Sequence, residues 1–293
     1  MSGKLLGAIE AGGTKFVLAV GESPTRITAT HTIPTRMPEE TLAQARDWFA
    51  QQGPLQAIGI ASFGPVELDP HSPDWGHILR TPKPGWSDCD VAGFFARAFD
   101  VPVGFETDVN GAALGEYHHG AGKGAASLTY VTVGTGIGGG TVVEGRVLHG
   151  AGHPELGHMF PRRDAADHGF EGACPFHGDC LEGLASGPAI LARWGSTLSD
   201  LPLEHEVHHH VAEYLAQMCH SIFAAMATQV IVLGGGVMKT PQLLQRINER
   251  AAQLDAGYLP RRGDRRIVSP SLGDKAGLAG AMLIAEAAIP AGD

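Results

Sequence analysis

The sequence predicts an α/β protein of two duplicated lobes facing a cleft, and three observations carry that prediction. Its 293 residues, 43% of them hydrophobic, suffice for one large domain or two lobes with substantial cores. A pair of apolar strands joined by a glycine turn occurs in each half, first in residues 4–20 (KLLGAIEAGGTKFVLAV) and again in residues 128–144 around GTGIGGG. A third glycine turn, 234–236, follows a short apolar run at 230–233 that reads as a buried strand.

Taken in order, residues 4–20 form two strands meeting at a tight turn over 10–14. Residues 39–51 have helical spacing in Leu42, Ala45, Trp48 and Phe49, and 57–61 is a strand. The stretch 64–85, rich in Pro, Asp and His, is a loop long enough to suspect function. A helix over 91–99, a strand over 103–106 and a helix over 108–117 opening beneath Asp108 come next. The strand 128–133 then leads through a glycine turn over 134–140 to a strand over 140–144. Beyond the segment 153–182 lie a short element over 186–194, a long helix over 206–227, the strand 230–233 and a helix starting near Pro241. Asp274 is placed as the N-cap of a small-residue helix, 276–288. The expected division is an N-terminal α/β lobe, 1–116, onto which a C-terminal helix of about 276–290 packs back, and a C-terminal α/β lobe, 117–275, carrying the segment 153–182. No low-complexity linker separates them.

Composition removes several function classes. Net charge is −10, and the 21 Lys and Arg residues are scattered except for Arg261, Arg262, Arg265 and Arg266. General nucleic-acid binding, which works by neutralising phosphates, is therefore not expected. No run of eighteen apolar residues exists, so no membrane span is expected. With no signal peptide and four cysteines, a reducing cytoplasm is the expected location. Glycine is the outlier: 41 residues, about twice the typical ~7%.

Residues 153–182 place His158, Cys174, His177 and Cys180 beside Glu155 and Glu182. Zinc takes four soft or borderline ligands in a tetrahedron, and C-x2-H-x2-C lets one tight loop supply three, with His158 closing the cage. A disulfide or redox pair would not need the interleaved histidines, so a structural zinc site is expected. Glu155 and Glu182 either face a small-molecule pocket or support a zinc-bound histidine. The turns at Gly12–Lys15 and 134–140 offer backbone N–H groups to an anion, and the turn at 233–237 leaves bare backbone against which an adenine and ribose can lie. Each alone is more often a plain tight turn, and none is a Walker loop or a dinucleotide fingerprint, but the three together point to nucleotide. Asp108 reads equally as a helix cap or as a general base. His205 and His208 to His210 read as a solvated helix face, Cys89 and Cys219 as buried thiols, and Met218, Phe223 and Met226 as core.

The segments GAIEAGGTK, FETDVNGAALGE, VTVGTGIGGG, HPELGHM, CPFHGDCLEG, VIVLGGGV and LGDKAGLAGA occur in the order found in the ROK family of sugar kinases and sugar-responsive repressors, which the chain resembles over nearly its whole length. The stretch GPVELDPHSPDWGHILRTPKPGW, with CPFHGDC, is most similar to the bacterial zinc-containing fructokinase branch. The resemblance implies a two-lobed, actin-like (RNase H-like) sugar kinase fold with the active site in the interlobe cleft. It implies ATP-dependent phosphorylation of a hexose, foremost D-fructose to fructose 6-phosphate. Mannokinase, glucokinase and broad hexose kinase are the alternatives. Repressors carry an N-terminal helix-turn-helix domain, for which a first strand at about Lys4 leaves no room.

Position by position, the resemblance puts Glu10 near the magnesium–ATP phosphates. Gly12, Gly13, Thr14 and Lys15, with Thr135, Gly136 and Gly138, would hold phosphates, and Gly234, Gly235 and Gly236 would face adenosine. Asp108 would be the catalytic base. Glu155, His158 and Glu182 would bind sugar hydroxyls, His158 doubling as a zinc ligand with Cys174, His177 and Cys180. Magnesium with ATP, structural zinc and a homodimer complete the expectation. Glu10 stands where an aspartate is commoner, Thr107 and Lys83 replace asparagines, and His177 replaces a cysteine in a way that preserves zinc coordination.

Overall fold

The computed structural model describes residues 5–164, 166–167 and 169–290; the expected strand start at Lys4 lies outside the described residues. The first half contains β1 (Leu5–Ala11), β2 (Lys15–Ser23), β3 (Arg26–Pro34), α1 (Pro38–Ala50), β4 (Leu55–Ser62), β5 (His77–Ile78), β6 (Cys89–Asp90), α2 (Val91–Phe99), β7 (Val103–Thr107) and α3 (Asp108–His119). The second contains β8 (Ser127–Val133), β9 (Ile137–Val143), β10 (Arg146–Val147), α4 (Leu181–Ala185), α5 (Gly187–Trp194), α6 (Glu206–Met226), β11 (Val230–Gly234), α7 (Leu243–Asp255), β12 (Arg266–Val268) and α8 (Ala276–Ala288). The chain divides into two compact units: Met1–His118 with Val147–His153 and Asp274–Asp293, and His119–Arg146 with Pro154–Gly273.

Each unit is built on a five-stranded sheet, in the order β3-β2-β1-β4-β7 in the first and β10-β9-β8-β11-β12 in the second. In both, a central antiparallel hairpin (β1/β2, β8/β9) is extended by parallel strands (β4 and β7, β11 and β12). The parallel strands are covered on both faces, which is why β4 and β11 read as near-continuous apolar runs. In the first unit, α1 buries Leu42, Ala45 and Phe49 along one face, and Phe49 meets Phe95 and Phe99 edge-on. Burial of one such phenylalanine contributes about 1.5–3 kcal/mol. Asp90 caps α2 by accepting from Gly93 N at 2.7 Å.

The opposite face of this sheet is covered by α8, which packs on β4, β1 and β7. Its small residues let backbone approach backbone. A Cβ at Gly59 of β4 would stand 2.0 Å from Ala281 O, so only glycine fits there. In the second unit, α4 to α7 close over β8 and β11 with a core that includes Leu181, Ile190, Tyr214, Leu215, Ile231 and Leu243. Among the described residues no helix is long and apolar enough to cross a membrane.

The structure departs from the sequence reading at several places, and Cys89, expected as a buried thiol, is half-buried because it lies in the short edge strand β6. β3 pairs with β2 although most of its side chains are exposed, so it lacks an apolar signature. β9 begins at Ile137, not near residue 140, and Gly138 lies inside that strand opposite Thr132. Asp274 sits in a 3-10 turn, Gly273–Lys275, and α8 starts without a side-chain cap. His208 and His210 are not solvated: both are buried, because α6 is enclosed by its neighbours, and His208 Nε2 meets Leu201 O at 3.2 Å.

Candidate active site and metal cluster

In the first unit the turn between β1 and β2 is held from outside. Gly12 N donates to Lys15 O (2.9 Å), Thr35 Oγ1 and N donate to Gly12 O (2.6 Å) and Thr14 O (2.9 Å), and Lys83 Nζ donates to Gly13 O at 2.6 Å. Gly13, Thr14 and Lys15 are exposed. All three turn carbonyls therefore have donors, and the loop is fixed without closing it to solvent.

Because β1, β4 and β7 run parallel, their carboxyl ends share one edge of the sheet, where ligands bind in open α/β sheets. Glu10 pairs with Ala61, and Ala61 with Glu106, so the two carboxylates occupy one row on either side of a small residue. Burial, reinforced by the charge on Asp108, pushes the Glu10 carboxyl up to about 7. Lys15 opposes that shift and Asp274 adds to it. Asp108 opens α3, its Oδ1 accepting from Val109 N at 2.8 Å. A carboxylate at that helix terminus is favoured by the free N–H groups and the helix dipole.

Three further residues support this corner, and the sequence reading gave two of them no role there. Glu106 is buried, and its Oε1 accepts from Thr107 N and Asn110 Nδ2, both at 2.9 Å, while Oε2 meets His149 Nε2 at 2.7 Å. Asn110 is thus a structural hydrogen-bonding residue of this junction. A carboxylate inside the apolar run 103–107 was the available signal for Glu106; nothing local marks His149. The hydrogen bond to Glu106 raises the His149 pKa above its ordinary value, and partial burial opposes the rise.

In the second unit the glycine turn 134–136 is closed by Gly134 N donating to Gly136 O at 2.8 Å, and Gly187 N anchors it at Gly134 O, also 2.8 Å. The neighbouring turn 234–236 continues β11, which runs parallel to β8. Gly235 has φ +94°, and a Cβ there would lie 2.3 Å from Val133 O. Gly134, Thr135, Gly187, Pro188, Gly236 and Thr240 help to line a cavity of about 590 Å³ whose apolar wall includes Ile190, Leu191 and Leu198. The structure thus brings the second and third glycine turns to one cavity, whereas Gly138 belongs to the strand.

His158 Nδ1, Cys174 Sγ, His177 Nδ1 and Cys180 Sγ converge within 4.8 Å of one another. Zinc bound at about 2.3 Å to sulfur and about 2.0–2.1 Å to nitrogen in a tetrahedron needs edges of about 3.4 Å between nitrogens and about 3.6 Å between nitrogen and sulfur. The two Nδ1 atoms are 3.3 Å apart, and the nitrogen–sulfur distances are 3.6, 3.8 and 3.9 Å. The donor set therefore fits zinc in kind and in spacing. A tight loop, with Cys174 N to Gly178 O at 3.2 Å and Gly178 N to Cys174 O at 3.0 Å, presents three of the ligands. His158 comes from a 3-10 turn, Leu156–His158, whose Gly157 lies so close to Ile137 that a Cβ would be 1.9 Å from Ile137 O.

Glu182 follows Cys180 by two residues on α4, and its Oε2 accepts from Ile137 N at 2.8 Å. Its carboxylate thus touches the glycine turn as well as flanking the cluster. Glu155 is exposed at the start of the 3-10 turn. A second group, Asp164, His209 and His210, also gathers ligand atoms, with His209 Nε2 at 2.8 Å from Asp164 Oδ2.

The ROK family profile matches residues 6–288. A fructokinase of Zymomonas mobilis is 46% identical over 293 residues, covering 97% of both chains. A fructokinase of Pediococcus pentosaceus is 43% identical, covering 97% of this chain and 99% of its own. The crystal structure of a ROK hexokinase from Thermus thermophilus superposes with a TM-score of 0.80 at 29% identity, covering 97% of this chain and 98% of that one.

Proposed function

This chain belongs to the ROK family, and we infer that it is an ATP-dependent fructokinase, transferring the γ-phosphoryl group of ATP to the 6-hydroxyl of D-fructose to give fructose 6-phosphate and ADP. The single observation that carries the reading is the near full-length similarity to fructokinases, and the two units carry the duplicated sheet of the actin-like sugar kinase fold.

In this reading Asp108 takes the proton of the 6-hydroxyl as its oxygen bonds to the γ-phosphorus and the bond to ADP breaks. Phosphoryl transfer passes through a loose transition state, so most of the work is positioning and charge stabilisation. Magnesium bound with ATP neutralises charge on the β- and γ-phosphates. Gly13 and Thr14, and in the second turn Thr135 and Gly136, present N–H groups to phosphates, and Lys15 presents its side chain. The apolar wall of the 590 Å³ cavity, with Gly236 in its lining, accepts the adenosine. Glu155 and Glu182 accept hydrogen bonds from sugar hydroxyls, and His158, with Nδ1 turned to the zinc set, donates through Nε2–H to a sugar oxygen.

His158, Cys174, His177 and Cys180 would hold zinc as a structural ion, since four protein ligands would leave no position for an activated water. The ion would hold the 3-10 turn bearing Glu155 and His158 against the loop that leads into Glu182. The expected setting is the cytoplasm and the expected assembly a homodimer, which light scattering would check. No nucleic-acid partner is expected at a net charge of −10.

A coupled kinase assay across fructose, mannose, glucose and N-acetyl sugars tests the proposal. Fructose should give the highest kcat/KM. A higher value for glucose or mannose would move the assignment to another hexose, and no ATP-dependent turnover of any sugar would end it.

A further inference from the structure

The chain leaves the second unit after Arg146, runs through Val147–His153 as part of the first, and returns to the second at Pro154. Within that excursion His149 reaches Glu106 Oε2 at 2.7 Å. Glu106 is 6% exposed and lies two residues before Asp108. Its other oxygen holds Thr107 N and Asn110 Nδ2, and Asn110 N in turn donates to Thr107 Oγ1 at 3.1 Å. Glu106, Thr107 and Asn110 are all buried, so one hydrogen-bonded cluster fills the strand-to-helix junction from which Asp108 projects.

A buried carboxylate needs a compensating donor or charge. The backbone amide and the Asn110 amide are neutral, and the ionisable partner of Glu106 in this cluster is His149, whose side chain is 43% exposed. We propose that His149 is a positioning residue for phosphoryl transfer: through Glu106 it fixes the junction that aims Asp108, and it offsets the negative charge buried beside that base. The proposal rests on Asp108 being the base. Glu10 from β1, Lys15 from β2 and Asp274 ahead of α8 also set the electrostatics of this corner, so only variants at Glu106 and His149 isolate the pair.

The two parts of the role separate by substitution. His149→Ala removes both the donor and the charge. Its kcat should fall ~10-fold or more, within the ~10²-fold that a misplaced reacting group can cost, while the KM values for fructose and ATP change little. The uncompensated Glu106 should favour protonated Asp108 and displace the acid limb of the kcat–pH profile to higher pH. His149→Gln keeps an N–H donor without the charge, so it should recover most of kcat and leave the acid limb displaced. Glu106→Gln removes the negative charge and should move the limb to lower pH.

The experiment is the kcat–pH profile of the three variants, with thermal melts, beside Asp108→Asn. A folded His149→Ala protein with the wild-type kcat and profile would overturn the proposal. If the alanine variant does not fold, an unmoved acid limb in His149→Gln overturns it. Retained turnover in Asp108→Asn instead removes the base assignment, so the two failures are told apart.

Discussion

Glu10→Gln isolates the electrostatic strain at the end of β1. The Glu10 carboxyl is pushed up to about 7 from 4.5, chiefly by burial and next by Asp108. A group whose folded pKa is raised contributes fully to stability below its unfolded value and loses that contribution as pH rises through the folded value. At 1.36 kcal/mol per pH unit, the span from 4.5 to about 7 corresponds to ~3 kcal/mol, of which ~2 kcal/mol falls between pH 5.5 and 8.0. Glutamine keeps the shape and cannot ionise. In urea unfolding without nucleotide or magnesium, the stability of Glu10→Gln minus that of wild type should therefore be ~2 kcal/mol more favourable at pH 8.0 than at pH 5.5. Other titrating groups cancel in this double difference. A pH-independent difference would refute the reasoning, because it would mean that Glu10 is either solvated or already ionised in the folded protein.

Three other substitutions probe separate parts of the account. A Cβ at Gly136 would lie 2.7 Å from Glu182 Oε2, so Gly136→Val should weaken both ATP and fructose binding in calorimetry of each ligand alone; an effect on neither would show that the turn does not face ligand. Mass spectrometry should find about one zinc per chain, and Cys180→Ala should lose it and raise the fructose KM more than the ATP KM. Full zinc occupancy in that variant would remove the cluster from the account. Gly59→Ala should destabilise the fold by about 1–3 kcal/mol, the range for overpacking, since its methyl meets Ala281 O of α8; an unchanged melting temperature would count against that helix contact.

Residue type and spacing made much of this molecule legible. The apolar runs of β1, β4, β8 and β11 are buried on both faces, so the sequence shows them directly. The convergence of His158, Cys174, His177 and Cys180 was readable because three of them lie within seven consecutive residues, 174–180, on one short loop. Features that depend on distant packing were not legible. β3 is held by main-chain pairing to β2 while most of its side chains face solvent. His208 and His210 look polar in sequence and are buried because α6 has neighbours on most of its circumference. Glu182 was expected to bind sugar or to support a zinc-bound histidine, and its oxygen also fastens Ile137 N, 45 residues earlier. Glu106 and His149 are 43 residues apart and meet because the chain re-enters the first unit for seven residues.

The most direct test of the central claim is fructose-dependent ADP formation by wild type and Asp108→Asn at saturating ATP, with product position read by phosphorus NMR. Asparagine preserves the size of Asp108, and its side-chain oxygen can still accept from Val109 N, but it cannot take a proton. The wild-type protein should form fructose 6-phosphate, and the variant should turn over at least ~10²-fold more slowly with fructose binding largely kept. Near-wild-type turnover by Asp108→Asn, or no fructose phosphorylation by the wild-type protein, would contradict the account.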